Sequence, residues 1–360
     1  MAAREPQIGP TVKPPPPPDP DAAPIETALE LTALAELGPH VFTNARPLWQ
    51  PLGARGIYGG GVIAQSLLAA TRTLPPGAGF AVHSLHCYFL LAGDPAVPAV
   101  YHVDVVRQGR SFLTRAVQAR QRGQTIATLT CSFTRTKPAD RDAQPSGDDA
   151  RPLAQQPVLD MPAIRPPDEC ESGEAALARL LAAGQMDAEQ VATSRERLAA
   201  DPFEWRSVGT APARGHGDAV ADAPPAHRVA RHWVRSKRPI RDVSLHAAVL
   251  AYISDMDFVG TAFRVNPSVR RDRFGMMVSL DHAVHFHAPA APLRPLDDWL
   301  LLEASCPWAA AERVLVRMRI WTTAGTLIAS CQQEGILRPS DGRRRAVDSA
   351  PAAAAPPAKL

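Results

Sequence analysis

The chain carries one pattern twice, and that duplication limits its folds more than any other feature of its 360 residues. The first copy begins with an aromatic, Pro-punctuated strand between Val41 and Leu52. It continues through GIYGGGVIAQSLLAATRTLP, where glycines 59–61 open an apolar helix that ends before Pro75. Four runs rich in Val, Tyr, Phe and Thr follow, at 81–91, 99–107, 111–121 and 125–136. They are parted by Gly93, Gln108-Gly109 and Gly123, the mark of strands joined by turns. In the second copy HRVARHWVRS is the strand and SLHAAVLAYISDMDF, 244–258, the helix. Runs at 276–287, 299–305, 313–322 and 326–337 make the second meander. Details recur too. GQTIAT from Gly123 is echoed by GTLIAS from Gly325, and HSLHCYF of the first half by DHAVHFH of the second.

A helix that is apolar on every side must be covered on every side. From Ala247 to Ile253 the second helix has no charged side chain and only the Tyr252 hydroxyl for polarity, so a curved antiparallel sheet has to embrace it. The predicted fold is α+β, a double hotdog of two tandem helix-and-meander units. The first unit spans 25–137 and includes an amphipathic helix over Ile25–Leu37; the second unit spans 223–338. Residues 138–222 read as a linker with a helical insertion, Glu174–Leu198. Residues 1–24, with Pro14 to Pro18 in a row, and 339–360 read as disordered tails.

Composition excludes several classes. The 45% apolar content supplies a core, and a formal charge of +3, scattered along the chain, forms no nucleic-acid or membrane surface. No apolar run approaches a membrane-spanning length. Cys87, Cys131, Cys170, Cys306 and Cys331 show no paired spacing and no secretory signal precedes them, so free thiols in a reducing compartment are expected. Histidines lack metal-ligand spacing, and neither a metal nor a cofactor is expected. The sequence closes on Ala358-Lys359-Leu360, a variant of the S-K-L address read by the peroxisomal import receptor.

The chemistry has no nucleophile elbow, Walker loop or dinucleotide fingerprint behind it. Two acids, Asp255 and Asp257, stand at the end of the second helix, where the macrodipole is negative. Either the helix emerges into water there or the acid has a task. In 326–337 the alternating set Leu327, Ala329, Cys331, Gln333, Gly335, Leu337 is apolar except for Gln333. A buried amide must find partners or cost on the order of 1–3 kcal/mol, whether its role is structural or functional. Strict alternation puts Ser279, Asp281, His285 and His287 on one face of 276–287 and Leu280, His282, Val284 and Phe286 on the other. His83 and His86 are structural or substrate-facing by the same criterion. An acid, a hydroxyl and an amide that converged on one water could direct it at a carbonyl, with burial raising the acid's pKa toward that of a useful base. Backbone N–H groups at the helix start, Gly59 to Gly61, could receive the developing oxyanion.

VHSLHCYFLLAGDP at 82–95, SDMDF at 254–258, SLDHAVHFH at 279–287 and QEGILR at 333–338 together resemble the acyl-CoA thioesterase II family. The resemblance covers about 41–136 and 202–338 and implies a double hotdog that hydrolyses acyl-CoA through an activated water, without a covalent intermediate. It implies Asp255, Ser279 and Gln333 as the water-positioning trio, with Gly60, Gly61, His83 and His86 as candidates for the oxyanion and substrate. A homo-oligomer is implied as well. Where the family usually has F-G-G-Q, this chain has Tyr58-Gly59-Gly60-Gly61. No arginine, Arg107, Arg110 and Arg115 included, is singled out for the CoA phosphates. The alternatives are a non-catalytic acyl-CoA-binding protein and a hotdog-type enoyl-CoA hydratase.

Overall fold

Apolar and polar residues alternate along most of the strand-like runs, and the structure turns that alternation into a sheet with one face against two helices. It is a computed structural model describing residues 17–51, 53–136, 155–208, 224–256, 258–287 and 295–340. Asp257 and Ala358-Lys359-Leu360 lie outside the described residues, as do most of the two expected tails and both ends of the expected linker.

In chain order the elements are α1 (Pro24–Ala28), β1 (Leu31–Ala33), β2 (Val41–Asn44), α2 (Gly59–Thr71), β3 (Phe80–Phe89), β4 (Val100–Gln108), β5 (Phe112–Gln121) and β6 (Gln124–Arg135). Then come β7 (Glu171–Ser172), α3 (Gly173–Ala182), α4 (Ala188–Ala200), β8 (Phe203–Ser207), β9 (Val229–Ser236), α5 (His246–Ser254) and α6 (Thr261–Arg264). Strands β10 (Phe274–Ser279), β11 (Asp281–Phe286), β12 (Leu300–Ala310), β13 (Arg313–Thr322) and β14 (Leu327–Pro339) complete the chain.

Among the described residues the strands form one 14-stranded sheet in the order β1-β2-β4-β5-β6-β3-β11-β14-β13-β12-β9-β8-β7, with β10 on β14. The two meanders meet where β3 pairs antiparallel with β11, His86 opposite Ala283. This is the double hotdog. The two meanders are thus paired edge to edge within the chain, and the outer edges end in the short strands β1 and β7.

Helices α2 and α5 pack on one another and on the sheet. Ile63, Leu67, Leu85 and Phe133 from the first unit and Val249, Ile253, Val316 and Ile320 from the second share one core. Each such side chain contributes roughly 1.5–3 kcal/mol when fully buried. On the other face of the second unit's strands Trp233, Leu301 and Trp321 pack with Ile164, Cys170 and Val208.

The expected linker is therefore not a free connector over its described part. Strand β8 pairs with β9 and extends the second unit. Its helix divides into α3 and α4 because Gly184 takes the left-handed φ of 64° and Asp187 caps a new start by accepting from the Gln190 amide. The Ile25–Leu37 helix is also corrected. Only α1 is helical, while Leu31–Ala33 pairs with Phe42–Asn44, its backbone bonded across to β2. The boundary at residue 24 falls late, since Ala23 is buried and Asp19 bonds Arg241 at 3.0 Å. Arg115 is buried and committed to the fold. It donates to Thr73 Oγ1 at 2.8 Å and Gln108 Oε1 at 2.6 Å, which removes it from the phosphate candidates. All five cysteines are buried and unpaired.

The two helices touch at the glycines of α2. Each Gly costs about 1 kcal/mol in a helix relative to Ala, so a run of three needs a cause. At Gly60 the cause is contact: a Cβ would lie 2.4 Å from the Tyr252 carbonyl oxygen and 2.6 Å from the Tyr58 ring. At Gly61 the nearest atom is 3.8 Å away. Gly60→Ala should destabilise the protein by roughly 2 kcal/mol or more. Gly61→Ala should stabilise it by about 0.5–1 kcal/mol. Urea denaturation of the two variants checks the pair, and equal effects would contradict the helix contact.

Candidate active site

Asp255 is the last residue of the α5 turn, in the C-cap position. Helix α5 is so apolar that it lies wholly between sheet and α2, and its end is carried to the N-terminus of α2. There the Gly60 amide donates to the Asp255 carboxylate. Gly59 is equally close, since a Cβ on it would be 2.8 Å from Asp255 Oδ2 and 2.9 Å from the Phe89 ring. Tyr58 locks the joint by donating its hydroxyl to the Tyr252 carbonyl at 2.6 Å.

Burial pushes the Asp255 carboxyl up to about 7, and the bonds from Gly60 and Gln333 only partly offset it. The residue keeps intermediate exposure, so water can still reach it. The thiols nearby are no rivals as nucleophiles: burial pushes Cys87 well up and Cys331 up to about 12.

Gln333 is fully buried, as its place on the apolar stripe of β14 predicts. Its Nε2 donates to Asp255 Oδ1 at 3.2 Å and, in a close contact, to Ser279 Oγ. Its Oε1 lies 3.2 Å from His282 Nδ1, and His282 Nε2 is 2.8 Å from Ser254 Oγ. Gln333 thus bridges Asp255 and Ser279.

Strict alternation over 276–287 fails, and the failure builds the site. Ser279 is opposite Gly335, whereas Ala283 is opposite Gln332. Three residues, 280–282, therefore face two on β14, a β-bulge of one extra residue. The bulge reverses the parity, so that Ser279 and His282 both turn to Gln333 instead of to opposite faces. Asp281 is pulled out of the row and accepts the Glu334 amide at 2.7 Å. Sequence reasoning missed His282 for this reason. The missing signal was a register shift, which no side-chain period reveals.

The other candidates separate from this cluster. His83 bonds Ser132 Oγ at 2.8 Å and rests edge-on to Phe112. His86 is exposed beside His285, at a ring separation of 5.6 Å, on the face opposite the buried Leu85 and Cys87. The Gly60 amide, expected to await an oxyanion, is engaged by Asp255. Gly61 opens on a recess of about 350 Å³, its mouth included, lined by Leu48, Trp49, Tyr58 and Tyr252. Among the described residues no group of His, Cys, Asp or Glu is placed to hold a metal, and no helix is long and apolar enough to cross a membrane.

Fold and cluster together define a double-hotdog protein with a half-buried acid at its helix joint. The acyl-CoA thioesterase N-terminal domain matches residues 45–134 and the acyl-CoA thioesterase C-terminal domain residues 174–337. The chain belongs to the acyl-CoA thioesterase II family. It is 36% identical over 299 residues to acyl-coenzyme A thioesterase 8 of Rattus norvegicus, across 82% of this chain and 84% of that one. It is 28% identical over 342 residues to peroxisomal acyl-coenzyme A thioester hydrolase 1 of Saccharomyces cerevisiae, across 86% and 93% of the two chains. The crystal structure of acyl-CoA thioesterase II TesB2 from Mycobacterium marinum superposes with a TM-score of 0.64 at 28% identity, covering 88% of this chain and 99% of that one.

Proposed function

We propose that the protein hydrolyses fatty acyl-CoA to free fatty acid and CoA, with Asp255 as the general base. The observation that carries this reading is the convergence of a carboxyl poised near 7, a hydroxyl and an amide at one partly open point. Asp255 takes a proton as the oxygen of a water attacks the thioester carbonyl carbon. Ser279 and Gln333 fix that water's position. The resulting oxyanion lies against N–H groups at the start of α2, where the first turn of a helix has no carbonyl partners of its own. With Gly60 held by Asp255, the Gly61 amide is the donor assigned here. Collapse of the tetrahedral species breaks the C–S bond, and the departing thiolate takes the proton from Asp255. The apolar recess beside Gly61 receives the acyl chain. His83 and His86 have no part in these steps.

The hydratase alternative requires a histidine free to act with the acid, and His282 commits both ring nitrogens to Ser254 and Gln333. A purely binding protein has no need of an acid raised to about 7. Replacing Asp255 by Asn should lower kcat by roughly 10²–10⁴ in a folded variant. Thiol release from a panel of acyl-CoAs measures it. Release from no chain length by the wild-type protein would refute the hydrolase, and undiminished release by the variant would remove Asp255 from the mechanism.

The protein's place is the peroxisome, reached through an import receptor that reads Ala358-Lys359-Leu360. This reading is supported by that tripeptide and by the naming of the yeast relative as peroxisomal. A reporter bearing the last dozen residues should become punctate and should disperse when Leu360 is deleted. A diffuse signal from the intact tail would contradict it.

A further inference from the structure

The Gln333 amide can be built two ways round, and its two ends do opposite things to Asp255. With the NH₂ end toward the carboxyl it stabilises the ionised acid, which only accepts. With the carbonyl end toward it, it accepts a proton from the neutral acid and stabilises that form. An acid that titrates near 7 visits both forms, so a free amide would turn with each protonation. Something must hold it.

We propose that His282 is the positioning residue of this site, its ring fixing the Gln333 side chain so that the NH₂ end stays on Asp255 and Ser279. The inference rests on the base assignment above. Its first support is the continuous chain of partners: Ser254 Oγ to His282 Nε2 at 2.8 Å, His282 Nδ1 to Gln333 Oε1 at 3.2 Å, and Gln333 Nε2 to Asp255 Oδ1 at 3.2 Å. Ser254 Oγ lies 2.9 Å from the Ala251 carbonyl oxygen as well, and with its one proton given to Nε2, Nδ1–H donates to Oε1 and Gln333 donates to the carboxylate. The other tautomer would set the bare Nδ1 against Oε1. Turning the amide to relieve that would set Oε1 against the carboxylate.

The second support is rigidity. His282 is fully buried, and the Phe258 ring meets it edge-on at 5.2 Å. Burial keeps the ring neutral, pushed down to about 4, so its donor pattern does not change through the working range. Third, the bulge at Leu280 turns His282 inward beside Ser279 at the cost of an interrupted ladder, which the Asp281 carboxylate repairs. Besides Gln333, the groups that face Asp255 are the Gly60 amide and Tyr58 at the start of α2, Cys87 of β3 and, on its own helix, Tyr252. All are uncharged through this range, burial having pushed the tyrosines and the thiol up. Asp281 is the neighbouring carboxylate, turned to the β14 backbone.

The test compares His282→Asn, whose amide can donate from about the Nδ1 position, with His282→Gln, which moves the donor outward, and His282→Leu, which removes it. In the wild-type protein kcat/KM should rise with pH through about 7 as Asp255 ionises. Leu and Gln at 282 should move that limb up by about one pH unit and lower kcat by roughly tenfold, with KM changed less than about threefold. Asn should restore the limb to the wild-type position. If the Leu variant does not fold, the Asn–Gln comparison decides alone: limbs that coincide overturn the positioning role, whatever the level of activity. Failure of the base assignment itself would look different, as a wild-type profile without a limb near 7.

Discussion

The Asp255 carboxyl is pressed between two helix ends of opposite sign. The C-terminus of α5 bears it, where the macrodipole opposes a negative charge, and the N-terminus of α2 meets it with the Gly60 amide, which favours one. Both ends are where they are because α2 and α5 are buried along nearly their whole length and must share one sheet. Desolvation exceeds the two hydrogen bonds, and the carboxyl comes to rest near 7 instead of its ordinary 3.8. The sign for stability follows. A raised carboxyl favours the folded state fully below the ordinary carboxylate range, and that contribution is lost as pH rises from about 4 to about 7. The fold therefore gives up a few kcal/mol at neutral pH to hold this acid, a strain of the kind found at functional sites.

A second constraint is one of parity. A strand continued without interruption from Phe274 to Phe286 would show Ser279 and His282 to opposite faces. The single extra residue at Leu280 brings both to the buried amide of Gln333. Because β11 is also the strand on which the first unit pairs, the bulge lies where the two meanders join. The duplicated architecture thus places its irregular strand, its helix joint and its acid together. To the acid the first unit contributes backbone, through Gly60, and the second contributes the Gln333 side chain.

The repeat was readable because each strand buries one face and leaves a two-residue period behind it. Gln333 stood out for the same reason, as a polar member of an apolar row. Asp255 was visible as an acid at the end of a greasy helix, and the family resemblance separated it from Asp257. What stayed hidden depended on register and on contacts between distant segments. Nothing in the row around Leu280 announces an extra residue, so His282 was placed on the wrong face relative to Ser279. In the sequence Gly60 is an open donor because its partner is 195 positions away, on another helix. The Ile25–Leu37 stretch has the pattern of one helix because its pairing with β2 is a tertiary choice, and Gly184 does not declare itself as a stop inside Glu174–Leu198.

The Asp255 carboxyl, held at the helix joint, should titrate near neutrality. Isotope-edited infrared difference spectroscopy of the wild-type protein against Asp255→Asn follows that group directly, without substrate. The protonated-carboxyl band should be present at pH 5, absent at pH 9, and lost with a midpoint close to 7. A midpoint near 4, the ordinary value of an aspartate in water, would contradict the account.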